Sequence, residues 1–382
     1  MKKNNIKIIQ TIAVLCTAVL VCGCSIRPAD QRSVAEAVNE ASVSDVADAA
    51  DSESWENDTA DPSESITAED QESLSSELYA MDTVMYLTAY GTHAKEALDA
   101  AEAEISRLDA LLSISSESSD IYRVNQDGSG ELSEDTTELL TSALGYFHET
   151  DGLFDCTIEP IMEAWGFTTH NYHVPDPSEL SELLPLVDAS AVSLSGNQVD
   201  LPSGARLDLG GIAKGFTSAR VMDIFARNGV TSGIISLGGN VQTLGRKPDG
   251  SLWRVGIQDP GDLNSMLAIV EVADEAVITS GTYQRCFELD GVRYHHIIDP
   301  RTGYPADSGL TSVTIISPDG TLADALSTSL FIMGAEKAAA FWQRHKDKFD
   351  AIMMTDDGTV LVTAGLADRC QITNGGKAEV IS

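Results

Sequence analysis

The chain has 382 residues, 43% hydrophobic and 22% charged, with 59 acids against 24 bases and a formal net charge of −35. That length allows two or three domains, or one large one with appendages, and the composition is that of a core-forming protein. So acidic a chain lacks the basic face that nucleic-acid phosphates require, so no nucleic-acid partner is expected, and its six cysteines are too few for a disulfide framework.

The first elements concern location. Lys2, Lys3 and Lys7 precede an apolar run from Ile8 to Val21, which is too short to span a bilayer but right for an export signal. Leu20-Val21-Cys22-Gly23-Cys24 resembles a bacterial lipobox, so residues 1–23 are expected to be a lipoprotein signal peptide and Cys24 the lipidated residue. An ordinary signal peptide cut nearby is the alternative. The expected location is extracytoplasmic, on the bacterial cell membrane through a lipid anchor. Residues 24–78 read as an acidic, Ser-rich disordered tether. Between 25 and 80 there are fifteen acids, eleven serines and no glycine. Such a stretch buries too little apolar surface to offset its ordering entropy.

Residues 79–382 read as one folded domain. Tyr79–Tyr90 alternates as a strand, and Ala97, Ala101, Ile105, Leu108 and Leu112 form a helical stripe. Ser133, followed by two acids, opens a helix to about Phe147. Ser195-Gly196-Asn197 separates two short strands as a hairpin turn. Ile212, Phe216, Ala219 and Met222 mark another helix. Short strands run to about Ile316, followed by helices from about Thr321 and over Glu336–His345 and a terminal pair of strands. Without regular strand–helix alternation, the pattern predicts an α+β fold: a mixed sheet with flanking helices in a single two-lobed domain.

Five segments carry candidate chemistry. In Asp208-Leu209-Gly210-Gly211-Ile212-Ala213-Lys214-Gly215, two glycines open a helix with a Lys in its first turn. Such an end favours anions, and the Lys needs a negative partner against the helix dipole. A packed turn with a solvated Lys is the plainer alternative. Ser236-Leu237-Gly238-Gly239-Asn240 places a Gly pair at a strand end. Thr279-Ser280-Gly281 precedes Tyr294-His295-His296-Ile297-Ile298-Asp299-Pro300-Arg301-Thr302-Gly303, where strand alternation lets at most one histidine face a given site. Asp324 and Thr328 are four apart on one helix face and could hold a hard cation, although Thr321-x-x-Asp324 also fits a helix-start capping box. Phe154-Asp155-Cys156 through Trp165-Gly166-Phe167 is aromatic enough to stack a flat ring or simply to fill a core.

Together and in this order, FDCTIEP with WGF, DLGGIAKGF, SLGGN, TSGTY, YHHIIDPRTGYP and DALST resemble the FAD:protein FMN transferases, the ApbE family of exported flavin-transferring lipoproteins, over roughly 81–377. The resemblance implies FAD as substrate, Mg2+ at its diphosphate, transfer of FMN to a Thr or Ser hydroxyl of an exported target protein, an electron-transfer component, and release of AMP. It implies Gly211, Asp324 and Thr328 as metal ligands. It places Met81, Phe154, Asp155, Asp208, Lys214, Thr279, Ser280, Gly281 and Ile297 at the cofactor, and His296 at proton transfer or acceptor positioning, with His295 turned away. The family often has Met-Gly-Thr where this chain has Met81-Asp82-Thr83. A Mg2+-dependent FAD pyrophosphatase giving FMN and AMP, and a non-enzymatic flavin-binding lipoprotein, are the alternatives.

Overall fold

The computed structural model describes residues 72–382, which are organised around a nine-stranded sheet. In spatial order its strands are Ser73–Ala80, Thr83–Tyr90, Gly233–Leu237, Asn240–Leu244, Ala276–Gly281, Leu310–Ser317, Asp350–Thr355, Val360–Thr363 and Ala378–Ile381. Neighbours run antiparallel except the last pair, which is parallel, so the sheet is mixed as expected.

Period-two alternation splits the sheet between two cores. On one face, Ala276, Ile278, Val313 and Ile315 pack under the helix Gly320–Met333, while Met85, Leu87 and Ile235 pack under the helices Ala94–Leu112 and Ala213–Arg227. On the other face, Val241, Val277 and Ile316 meet a three-stranded sheet made of Trp253–Asp259, Asp262–Val272 and Cys370–Ile372. A third, aromatic core gathers Trp165, Phe167 and Phe287 beside the histidine pair. Cys156, Cys286 and Cys370 are free thiols.

Two expectations are corrected, and one alternative falls. Tyr79–Tyr90 is not one strand. It is broken at Met81 and Asp82, both at positive φ (48° and 65°), into a hairpin that pairs Ala80 with Thr83. A two-residue turn of this hand matches the twist of its strands, but its usual signal is Asn-Gly. The sheet also begins at Ser73, inside the stretch read as tether. The strand SLSSELYA is polar and mostly exposed, so its composition resembles the tether, and backbone pairing to Thr83–Tyr90 makes it a strand. Finally, Asp319, not Thr321 with Asp324, caps the helix Gly320–Met333: its Oδ1 accepts from the Leu322 N–H at 3.0 Å. The signal and lipobox residues, Cys24 included, lie outside the described residues. No helix among the described residues is long and apolar enough to cross a membrane.

Candidate active site

The site begins where two helices touch at glycine. A Cβ on Gly215 would lie 2.2 Å from the Gly320 carbonyl oxygen and 2.7 Å from the Asp324 Cβ, so only glycine lets Ala213–Arg227 and Gly320–Met333 approach this closely. The contact has a chemical consequence. Ala213–Arg227 has no side-chain cap of its own, and the Gly215 N–H is one of its unpaired first-turn donors. It donates to Asp324 Oδ2 at 2.8 Å. Asp324 therefore caps a helix other than its own. Because Gly215 does not reach back to Gly211, the Gly211 carbonyl remains outside the helix ladder. The Phe154 ring packs against Gly211, 3.3 Å from where a Cβ would stand.

Asp324 is buried, and burial raises its pKa, opposed by the Lys214 charge, the Gly215 N–H and the Asn240 amide. Lys214 lies in the first turn of a helix that has no acid there. Thr328, one turn beyond Asp324, lies 3.2 Å from the Ser280 hydroxyl, which also lies 2.8 Å from Ser327 Oγ. The Asp324 carboxylate thus lies at the Gly215 end of the Lys214 helix, within electrostatic reach of the Lys214 ammonium, and Thr328 is one helical turn along.

His296 lies within electrostatic reach of Lys214. Its Nδ1 donates to the Arg285 carbonyl at 3.3 Å, which fixes the tautomer and leaves Nε2 as an acceptor. Burial, followed by the Arg285, His295 and Lys214 charges, lowers its pKa to about 3, so the ring is a neutral base at neutral pH. His295 is turned away: its ring meets Phe331 edge-on at 5.6 Å and its Nδ1 accepts from the Ile297 N–H at 3.3 Å.

The other candidates take distinct places. Met81, in the hairpin turn, donates its N–H to Asp109 and meets Thr217 Oγ1 through sulfur at 3.7 Å, tying the turn to the Lys214 helix. Asp208 accepts from the Gly210 N–H at 2.7 Å, shaping the glycine turn. Asp155 accepts from Thr157 and from the Ala189 N–H, so its carboxylate ties loops together. Phe154 and Ile297 are core residues with side chains turned into the protein. Gly281 makes room for the Tyr283 ring. The TSG segment is split by the pleat: Ser280 faces Thr328, whereas Thr279 faces the other side, where it pairs with Thr314 Oγ1 and lines a cleft with Gly238, Gly239, Tyr283 and Gln284. The rim contains an element that spacing did not disclose. Asp82 pairs with Arg285 and lies 3.1 Å from His170 Nε2. Its only signal is an Asp where a turn prefers Gly.

Among the described residues no three His, Cys, Asp or Glu side chains come together to hold a metal. The donor set is one carboxylate, hydroxyls and a carbonyl. That is insufficient for zinc and appropriate for a hard cation that keeps waters and shares a phosphate-bearing substrate.

Residues 81–353 match the model of the ApbE family. The chain belongs to the ApbE family. It is 38% identical over 251 residues to the FAD:protein FMN transferase of Treponema pallidum (strain Nichols), covering 61% of this chain and 69% of that one. It is 34% identical over 267 residues to the enzyme of that name from Klebsiella pneumoniae (strain 342), covering 68% and 82%. Among solved structures it resembles the ApbE protein of Thermotoga maritima at TM-score 0.73 and 30% identity, covering 77% of this chain and 98% of that one. It resembles the flavinyl transferase ApbE of Pseudomonas stutzeri at TM-score 0.68 and 30% identity, covering 75% and 92%. The glycine-rich turn and the Asp324 helix are brought together by the bond from the Gly215 N–H to Asp324, between residues 109 apart in the chain.

Proposed function

We propose that this chain transfers the FMN half of FAD to a Thr or Ser hydroxyl of a target protein and releases AMP. The observation that carries the reading is the convergence of Lys214, Asp324 and a neutral His296 on one site, within a family whose relatives bear that activity in their names. In this reaction the acceptor oxygen forms a bond to the FMN phosphorus, the anhydride P–O bond breaks, and AMP leaves with the bonding electrons. The hydroxyl proton goes to His296 Nε2, which its tautomer leaves free to take it. Lys214 and the first turn of its helix present positive charge to the diphosphate, and the glycines at 210 and 211 let that group approach the backbone.

Asp324, Thr328 and the Gly211 carbonyl fit Mg2+, which prefers few protein oxygens. When bound, Mg2+ would supply neutralisation of phosphate charge. The acceptor is read as an exported electron-transfer component, with this chain tethered beside it by lipid on Cys24. Cys24→Ala should release the protein from membranes, and retention would remove that part of the reading.

One incubation tests the activity. The protein, FAD, Mg2+ and candidate exported flavoproteins are mixed and run on a denaturing gel. Flavin fluorescence on the target supports transfer. Free FMN and AMP with an unlabelled target would mean that water, not a hydroxyl, is the acceptor.

A further inference from the structure

The SLGGN segment ends on an unusual side chain. Gly238 and Gly239, at φ 62° and 98°, make the two-residue turn that pairs Leu237 with Asn240 and sets Asn240 first in its strand. Asn240 is 4% exposed, and its Nδ2 has no hydrogen-bond partner. An unpaired buried amide is costly, and native proteins keep few of them.

The register shows where the amide points. Asn240 and Gln242 are two apart on one strand and share a face. Gln242 Oε1 accepts from Ser218 Oγ at 2.5 Å and lies against Gly320, 2.6 Å from where a Cβ would stand. Asp324 is about one helical turn beyond Gly320, as Asn240 is one pleat beyond Gln242. By this register the Asn240 amide is directed towards the Asp324 turn of the helix, and the amide opposes the rise of the Asp324 pKa. Only the donor end suits that position, because the amide oxygen would oppose a second acceptor.

Resting on the metal reading given above, we propose that Asn240 is a positioning residue for Asp324: its Nδ2 donates to the carboxylate and, with the Gly215 N–H, fixes which oxygen is presented to the cation. Carboxylates that ligate metals are themselves hydrogen-bonded, and losing such a partner typically weakens metal affinity about 10–100-fold. SLGGN then reads as a turn that delivers a hydrogen-bond donor to the Asp324 carboxylate.

The test is Asn240→Leu, similar in shape but without the donor, with Asn240→Ala as the second variant in case leucine does not fit. Melting temperature is followed in the full-length protein with saturating FAD across a Mg2+ titration, alongside FAD affinity without metal. The expected result is a Mg2+ midpoint about 10–100-fold higher in both variants. Metal-free FAD affinity should be unchanged. The metal-free melting temperature of Asn240→Leu should be at or above wild type, because the unpaired amide is gone. FMN transfer lost at limiting Mg2+ should return at raised Mg2+. An unchanged midpoint in variants that melt lower would make Asn240 a packing residue and overturn the proposal. So would a loss of metal-free FAD affinity at an unchanged midpoint. If wild type itself shows no Mg2+-dependent rise, the metal reading falls together with this one. If wild type responds and the variants respond alike, only the role of Asn240 falls.

Discussion

Asp82 forms an ion pair with Arg285 across 203 residues of chain, and the Arg285 carbonyl accepts both the main-chain N–H of His296, at 2.9 Å, and its Nδ1. A turn residue at positive φ thus braces the segment that sets the tautomer of the candidate base. Tyr79 Oη donates to the other Asp82 oxygen at 3.2 Å, so one carboxylate gathers groups from three segments at the rim.

Asp82→Gly should separate the turn from the brace. Glycine suits the left-handed turn, which offsets the loss of a half-exposed ion pair, so the melting temperature should hold. Transfer should fall about two- to five-fold, the worth of such a pair expressed as a rate. Paired melting and turnover measurements check this, and a lower melting point at wild-type rate would assign Asp82 to stability alone.

The cap that Asp324 gives Gly215 and its proposed part in transfer can be divided by substitution. Asp324→Asn keeps an oxygen to accept the Gly215 N–H and so should keep the fold, yet it removes the charge and should lose most transfer. Asp324→Ala should lose transfer and also about 0.5–2 kcal/mol of stability, the usual worth of a helix cap. Thr328→Ala should show a milder loss of transfer, because water can replace a neutral hydroxyl. Denaturant melts with turnover at raised Mg2+ or Mn2+ decide the matter: wild-type rate in Asp324→Asn would place the metal elsewhere.

Gly215→Ala inserts a methyl where the Gly320 carbonyl stands 2.2 Å away. The helices must part, so stability should fall by about 1–3 kcal/mol and the Asp324 cap should loosen. Hydrogen exchange at the Gly215 amide in wild type provides an independent check. It should be among the slow amides of the first turn, and rapid exchange there would contradict the cap.

The acid limb of stability carries two opposing signs. Burial lowers the His295 pKa from 6.5 to about 4, so the unfolded chain takes up the proton first. Its contribution is full above pH 6.5 and drains away towards pH 4. Glu159 runs the other way. Burial outweighs its Arg206 partner at 2.8 Å and raises the pKa to about 7, so the folded chain takes the proton first and gains stability as pH falls from there towards 4.5. His295→Leu removes the first effect only. Its melting temperature relative to wild type should improve steadily from pH 6.5 to pH 4. A difference independent of pH would mean that His295 is not the buried neutral ring described.

Local pattern determined much of this protein. Periodicity located the helices Ala94–Leu112 and Ala213–Arg227 to within a few residues, because each has an apolar stripe and a polar face, and the Ser133 start signal located Glu134–Glu149. The succession DLGGIAKGF, TSGTY, YHHIIDP and DALST identified the family. Alternation alone indicated that at most one of His295 and His296 faces a given site. Only the tertiary structure decided what depends on residues far apart in the chain. It made a hairpin of Met81-Asp82 without its usual glycine, and a strand of residues that read as tether, because pairing partners supply what composition does not. It also turned Ser280 towards Thr328 and Thr279 away, a choice set by which sheet face the helices cover. The alternative that Asp324 caps its own helix arose because capping signals are local. That it caps the Lys214 helix instead follows from a Gly215–Gly320 contact between residues 105 apart in the chain, which no local spacing encodes.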